Sequence, residues 1–175
     1  MEEERAMRDT KLYQNLLGIG SPWSVDSVTM DVEKKRVDVT VSHPPKMVFA
    51  CPECGAESAV FDHAEERVWR HLDSCQFFTY LHARVPRIAC PTHGVRQVSV
   101  PWAEARGRFT KLFERLAIDV LKACDISSAA ALLRISWDEA WGIQERAVQR
   151  GLARKSKRHL SHIGVDEKAI AKTST

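Results

Sequence analysis

Two short, similar turns carry the most specific chemistry in the sequence. Cys51-Pro52-Glu53-Cys54-Gly55 and Cys90-Pro91-Thr92-His93-Gly94 each set two soft or borderline ligands two residues apart and follow the pair with glycine. A tetrahedral zinc ion needs four such donors, and two paired turns brought together supply them. Glycine after each pair tolerates the positive φ that a tight turn often requires. Pro52 and Pro91 stiffen the turns and reduce the freedom of the unfolded chain. The pattern predicts a structural zinc centre of three thiolates and one imidazole at Cys51, Cys54, Cys90 and His93. Four protein ligands leave no open position on the metal, which argues against a catalytic zinc hydrolase. Cys75, His63, His71 and His82 lie between the turns without belonging to a pair, and are second-choice ligands. Cys124 falls in an apolar helical pattern and reads as a small core residue. Five cysteines, an odd number arranged around turns, point to metal rather than disulfides.

The two turns must be brought together across the 35 residues that separate Cys54 from Cys90, more than the roughly 15–20 usual for such pairs. A long two-stranded insert would absorb the difference. Residues 59–61 and 67–72 have strand character, and 77–85 alternates strongly. Phe77, Thr79, Leu81, Ala83 and Val85 share one face; Phe78, Tyr80, His82 and Arg84 share the other. That aromatic and basic face suits either base stacking or the ordinary covering of a small sheet, with the second preferred. Residues 95–100 form a last strand, stopped by Pro101. Upstream, residues 10–20 suit a short amphipathic helix ending at Gly18 or Gly20, whose apolar side serves the core in preference to a partner chain. Residues 25–41 alternate with period two as a β-hairpin, ended by Pro44-Pro45.

Beyond a linker at 102–109, which contains Arg106-Gly107-Arg108, the period becomes helical. Helices are predicted at about 110–123, 128–134 and 136 to 150 or 152. Asp125 or Ser127 caps the second. Ser136 and Glu139 form a capping box at the third. Trp137, Ala140, Trp141 and Val148 are read as the inner face of the third helix. Three helices with a short turn between the last two fit a helix-turn-helix, or equally a plain three-helix bundle. In the first case the last helix presents its N-terminal half to the major groove. Its outward candidates are Asp138, Gln144, Glu145, Arg146 and Gln149, with glutamine and arginine suited to adenine and guanine edges. Arg134, Arg150, Arg154, Lys155, Lys157 and Arg158 are candidate phosphate contacts.

Charge follows the same division. Residues 1–100 hold 12 Lys/Arg against 14 Asp/Glu, whereas residues 101–160 hold 12 against 7. Positive charge concentrated after the knuckles is the footprint of a nucleic-acid surface, though charge alone favours a solvated helical face. No run of 18 apolar residues is present, so no membrane partner is expected. The acidic start lacks a signal-peptide core, which points to a cytoplasmic, nucleoid-associated location. Residues 162–168 read as a strand with Asp166 at its exit. A carboxylate there suits a catalytic divalent metal, but such a site needs several converging acids.

Taken in order, the knuckles, Tyr80-Leu81-His82-Ala83-Arg84-Val85-Pro86-Arg87, Cys90 to Gln97, Val100-Pro101-Trp102-Ala103, the helix-turn-helix and Ile163-Gly164-Val165-Asp166-Glu167 resemble bacterial transposases of the ISL-three insertion-sequence family. The likeness runs from about Leu12 to Lys172. It implies a zinc-binding module and a helix-turn-helix that recognise transposon inverted repeats in double-stranded DNA. A DDE-type catalytic domain of RNase H-like fold follows in such proteins and uses divalent metal. Cys51, Cys54, Cys90 and His93 match the family's zinc ligands, and Asp166 its first catalytic aspartate. The second aspartate, the glutamate and most of the catalytic fold are absent from this sequence.

The expectation is therefore an α+β chain in four parts: an N-terminal helix and hairpin over 1–45, a zinc-ribbon-like module over 46–101, a three-helix helix-turn-helix domain over 102–160, and the first strand of an incomplete RNase H-like domain over 161–175. The chain should carry structural zinc and bind DNA without being an enzyme by itself, magnesium belonging only to an intact transposase. A homodimer or an intact transposase is a further possible partner. The alternative is a stand-alone zinc-containing DNA-binding regulator, or a protein-interaction and dimerisation module.

Overall fold

The computed structural model describes residues 2–155, with side chains from residue 9 onward. Asp166, Lys157, Arg158 and the strand expected at 162–168 lie outside the described residues. The element order is α1 (Glu2–Leu16), β1 (Ser24–Asp31), β2 (Arg36–Ser42), β3 (Val48–Ala50), β4 (Glu57–Ser74), β5 (Phe77–Cys90), β6 (Gly94–Gln97), α2 (Lys111–Ala123), α3 (Ile126–Leu133) and α4 (Trp137–Arg154).

The expected hairpin is β1 paired antiparallel with β2, and Val37, Val39 and Val41 turn inward as their alternation requires. The insert between the knuckles is the long antiparallel pair β4–β5. Residues 59–61 and 67–72 belong to one strand, β4, whose register shifts near Asp62, His63 and His71 interrupt the alternation that sequence reading relies on. Strand β2 runs parallel to β5 and continues the sheet, giving the order β1-β2-β5-β4-β3 with β6 also on β5. Residues 1–45 and 46–101 thus share one sheet and one core.

That core is built on Trp69, Leu81, Val85 and Ile88 beneath an edge-to-face group of indoles. Trp102 packs against Trp23 at 4.9 Å and Trp69 at 5.6 Å between centroids. Helix α1 ends earlier than expected. Leu17 and Ile19 are buried as the chain leaves it, while Leu12 and Leu16 remain exposed. Gln14 fixes the exit by accepting the Val25 amide at 2.6 Å and donating to the Trp23 carbonyl at 3.2 Å.

The stretch 102–109, expected as a linker, is instead a packed joint. Trp102, Ala103 and Phe109 are buried. The Arg70 amide donates to the Arg108 carbonyl at 2.9 Å, and the Thr110 amide to the Arg70 carbonyl at 3.0 Å. Apolar anchors and backbone bonds to β4 thus fasten the helices to the sheet.

Helix starts follow the caps. Thr110 accepts the Phe113 amide, Asp125 accepts the Ser128 amide, and Ser136 with Glu139 forms the full capping box. The inner face of α4 departs from expectation. Ala140 and Ile143 are fully buried, whereas Trp137, Trp141 and Val148 are about half exposed. Ala117, Ala129 and Ala140 are buried on the three helices, and Phe113, Leu133 and Ile143 complete their core. The buried positions of α4 are thus taken by Ala140 and Ile143, and the two indoles stay at its margin.

Candidate zinc centre and nucleic-acid interface

The first knuckle lies between β3 and β4, the second between β5 and β6. Antiparallel pairing of β4 with β5 folds the insert back on itself and returns Cys90 to the neighbourhood of Cys51. In the first turn the Cys51 amide donates to the Ala56 carbonyl at 2.9 Å, and the Gly55 amide to the Cys51 carbonyl at 2.8 Å. Gly55 has φ +75° and Gly94 φ +68°, the left-handed backbone anticipated from sequence.

The donor atoms of Cys51, Cys54, Cys90 and His93 all lie within 4.8 Å of one another. Cys54 Sγ is 3.6 Å from Cys90 Sγ; His93 Nδ1 is 3.7 Å from Cys90 Sγ and 3.8 Å from Cys51 Sγ. A tetrahedron with zinc–sulfur bonds of about 2.3 Å has edges of about 3.8 Å, close to these three separations, so the donor set fits the ion. The backbone amides of Glu53 and Cys54 lower the Cys51 thiol pKa, and those of His93 and Thr92 lower that of Cys90. For Cys54 the Ala56 amide favours the thiolate, but desolvation and the sulfurs of Cys90 and Cys51 raise it above its ordinary value. Amide dipoles thus prepare two thiolates. His93 turns Nδ1 to the thiols and holds Nε2 3.8 Å from Glu53, which Arg96 grips at 2.5 Å. At that separation the carboxylate lies near the outer nitrogen but beyond hydrogen-bond distance. A bound ion would find all four positions taken by protein and would act as a clamp.

The second-choice ligands are occupied elsewhere. His82 sits between Asp38 at 2.6 Å and Glu66 at 3.3 Å. His63 meets His43 at 3.0 Å between Nε2 atoms. Buried His71 lies 2.8 Å from the Thr110 hydroxyl and joins β4 to α2. Cys75, with Gln76, forms the left-handed turn of the β4–β5 hairpin. The aromatic and basic face of β5 is covered from within: Arg36 lies 4.3 Å over Tyr80, and Arg70 and Arg134 lie 4.7 Å and 4.2 Å from Phe78.

A family model described as the zinc-finger of transposase IS204/IS1001/IS1096/IS1165 matches residues 48–93. A second, the helix-turn-helix domain of transposase family ISL3, matches residues 98–148. The chain carries the zinc-ribbon and helix-turn-helix domains of the ISL3 transposase family. The transposases for insertion sequence element IS1557 of two Mycobacterium tuberculosis strains, CDC 1551 / Oshkosh and ATCC 25618 / H37Rv, are each 30% identical to it over 173 residues. The match covers 92% of this chain but 38% of each relative. No solved structure matches the chain. No helix among the described residues is long and apolar enough to cross a membrane.

Within the ISL3 helix-turn-helix, α3 and α4 are joined by Arg134, Ile135 and Ser136, with Arg134 in the left-handed cap position at φ 55°. Several expected DNA contacts have partners within the protein while remaining partly exposed. Arg134 bonds the Gln76 carbonyl at 3.2 Å and pairs with Asp73, bracing the turn against the sheet. Arg146 and Arg150 reach Glu114 at 2.6 Å and 3.4 Å, a carboxylate only 5% exposed. Gln144 Oε1 is buried without a partner among the described residues. Gln149, Arg154 and Lys155 are exposed. Trp137 and Trp141 stack on each other in the open at 5.6 Å. Glu114 escaped sequence reading because an acid between apolar neighbours looks like any exposed helical position. The buried anchor is visible only once α4 lies beside it.

Proposed function

We propose that this chain is the DNA-binding portion of an insertion-sequence transposase, recognising terminal inverted repeats. The observation that carries the proposal is the adjacency, in one fold, of a Cys51–Cys54–Cys90–His93 cluster and a capped helix-turn-helix, each in a region matched by its own family model. Structural zinc would hold the ribbon end of the sheet. The sheet, through the 102–109 joint and Arg134, holds the helices. Helix α4 is assigned to the major groove. Gln149, Arg154 and Lys155 are assigned to DNA together with Lys157 and Arg158. Arg146 and Arg150 contribute charge while pinned to Glu114. Arg134 is left out of the contact set because its guanidinium is spent on Asp73, Gln76 and Phe78.

The relatives are named transposases, and the resemblance extends the proposal to an RNase H-like catalytic domain beginning near Asp166, with magnesium belonging to the intact enzyme. No catalytic step is assigned to the described residues. The test is selection of duplexes from a random pool by the zinc-loaded chain, followed by affinity measurements against salt. The expected result is enrichment of one sequence family, with log affinity falling linearly as log salt rises. Absence of enrichment together with salt-independent binding would contradict the proposal.

A further inference from the structure

We infer that the loop at residues 104–108 is a DNA-contacting element in its own right, with Arg106 gripping a backbone phosphate beside the N-terminal half of α4. The inference rests on the DNA-binding reading above.

The loop is rigid and its arginine is free. The Gly107 amide closes a tight turn by donating to the Glu104 carbonyl at 2.9 Å. Arg67 Nη2 donates to the Gly107 carbonyl at 2.9 Å, and the Arg108 carbonyl accepts the Arg70 amide at 2.9 Å, so β4 holds the loop from beneath. A side chain at Gly107 would meet the Glu104 carbonyl at 3.1 Å. At the apex Arg106 is exposed with φ +60°, a backbone region that side chains other than glycine or asparagine occupy at a cost. Among the described residues Arg106 has no hydrogen-bond or ion-pair partner. A strained, unpartnered cation on a rigid support is poorly explained by folding alone.

Its surroundings suit a duplex. Arg106 lines a notch of about 280 Å³ with Arg108, Asp138, Glu139, Gly142 and Arg146. The opposite wall is therefore the first half of α4, the part a helix-turn-helix presents to base edges while flanking segments touch the backbone. Gly142 contributes no side chain to that wall. Arg108 pairs with Glu139 at 3.3 Å, and Glu139 also serves the capping box. Asp138 places a carboxylate on the notch wall, which disfavours a small free anion there. The free guanidinium at the rim instead meets a phosphate presented from outside by a strand lying along the groove that α4 enters.

The test uses the zinc-loaded chain and a fluorescent mixed-sequence duplex, with affinity measured across a salt series. Arg106→Gly removes the cation while relaxing the backbone. It is expected to keep the zinc content of the parent and a melting temperature at least as high, to bind roughly eight-fold more weakly at about 0.1 M salt, and to reduce the log–log salt slope by about 0.9. Arg106→Lys restores the slope. Inorganic phosphate at matched ionic strength should not compete; competition matching the duplex would assign the site to a small anion and overturn the inference. Parent-like affinity and slope in Arg106→Gly would also overturn it, leaving the DNA-binding reading intact. Failure of the parent to bind any duplex would remove both.

Discussion

The two ends of the molecule are held together by different means. The knuckle end brings four donors together on turns; Cys51 and Cys90 join the apolar core, while Cys54 is exposed and His93 half-buried. Its rigidity is proposed to come from a ligand. The helical end has an apolar cluster of Phe109, Phe113, Ala117, Leu133 and Ile143, a buried Glu114 with two arginines, and a backbone joint to β4. Its rigidity comes from packing. A site held by a ligand tolerates varied neighbours but depends on every donor, whereas a packed site depends on volume.

Removing the ligand should therefore separate the ends. Cys90→Ser, or strong chelator, is expected to cost several kcal/mol at the knuckles, since structural zinc supplies much of the folding energy of such turns. Hydrogen exchange should show amide protection lost around residues 48–58 and 88–97 and kept in α2 and α4. Equal loss at both ends would break the comparison.

Acid should strike the joint between sheet and helices. Burial, then the nearby Arg70 charge, pushes His71 down to about 4 from its ordinary 6.5. The unfolded chain takes up this proton first, so stability is complete above 6.5 and falls as pH drops from there through 4. The loss attributable to His71 is about 3 kcal/mol. Denaturant melts of the parent and His71→Asn across that window measure it as a difference, in which acid release of metal cancels. Parallel curves would show that His71 is not the titrating group.

The smallest effects sharpen the packing argument. Ala140→Leu should destabilise by about 2 kcal/mol through overpacking, while Trp141→Gln, despite its larger change, should cost less than about 1 kcal/mol because the indole is already half in water. The reverse order in thermal melts would return Trp141 to the inner face.

The same contrast explains which features were legible in sequence. Ligand spacing is local: Cys51 to Cys54 and Cys90 to His93 declare themselves within four residues, and the glycines that follow them sit at positive φ as read. Caps are local too, and Ser136 with Glu139 behaves as written. Helix phase is not local. Trp137 and Trp141 look like core by residue type, and only packing of Ile143 against Phe109, Phe113 and Leu133 from other elements sets which face of α4 turns inside. Arg134 and Arg146 look like free cations until Asp73 and Glu114 arrive from distant elements. The 102–109 stretch, with its Arg-Gly-Arg, looks like a linker because its anchors Trp102 and Phe109 act on strands far away in sequence.

The most direct measurement is the metal itself. Elemental analysis combined with X-ray absorption on the purified chain should find one zinc per chain bound by three sulfurs and one nitrogen. A chain that folds without stoichiometric zinc, or zinc seen with only oxygen and nitrogen neighbours, would contradict the four-ligand centre.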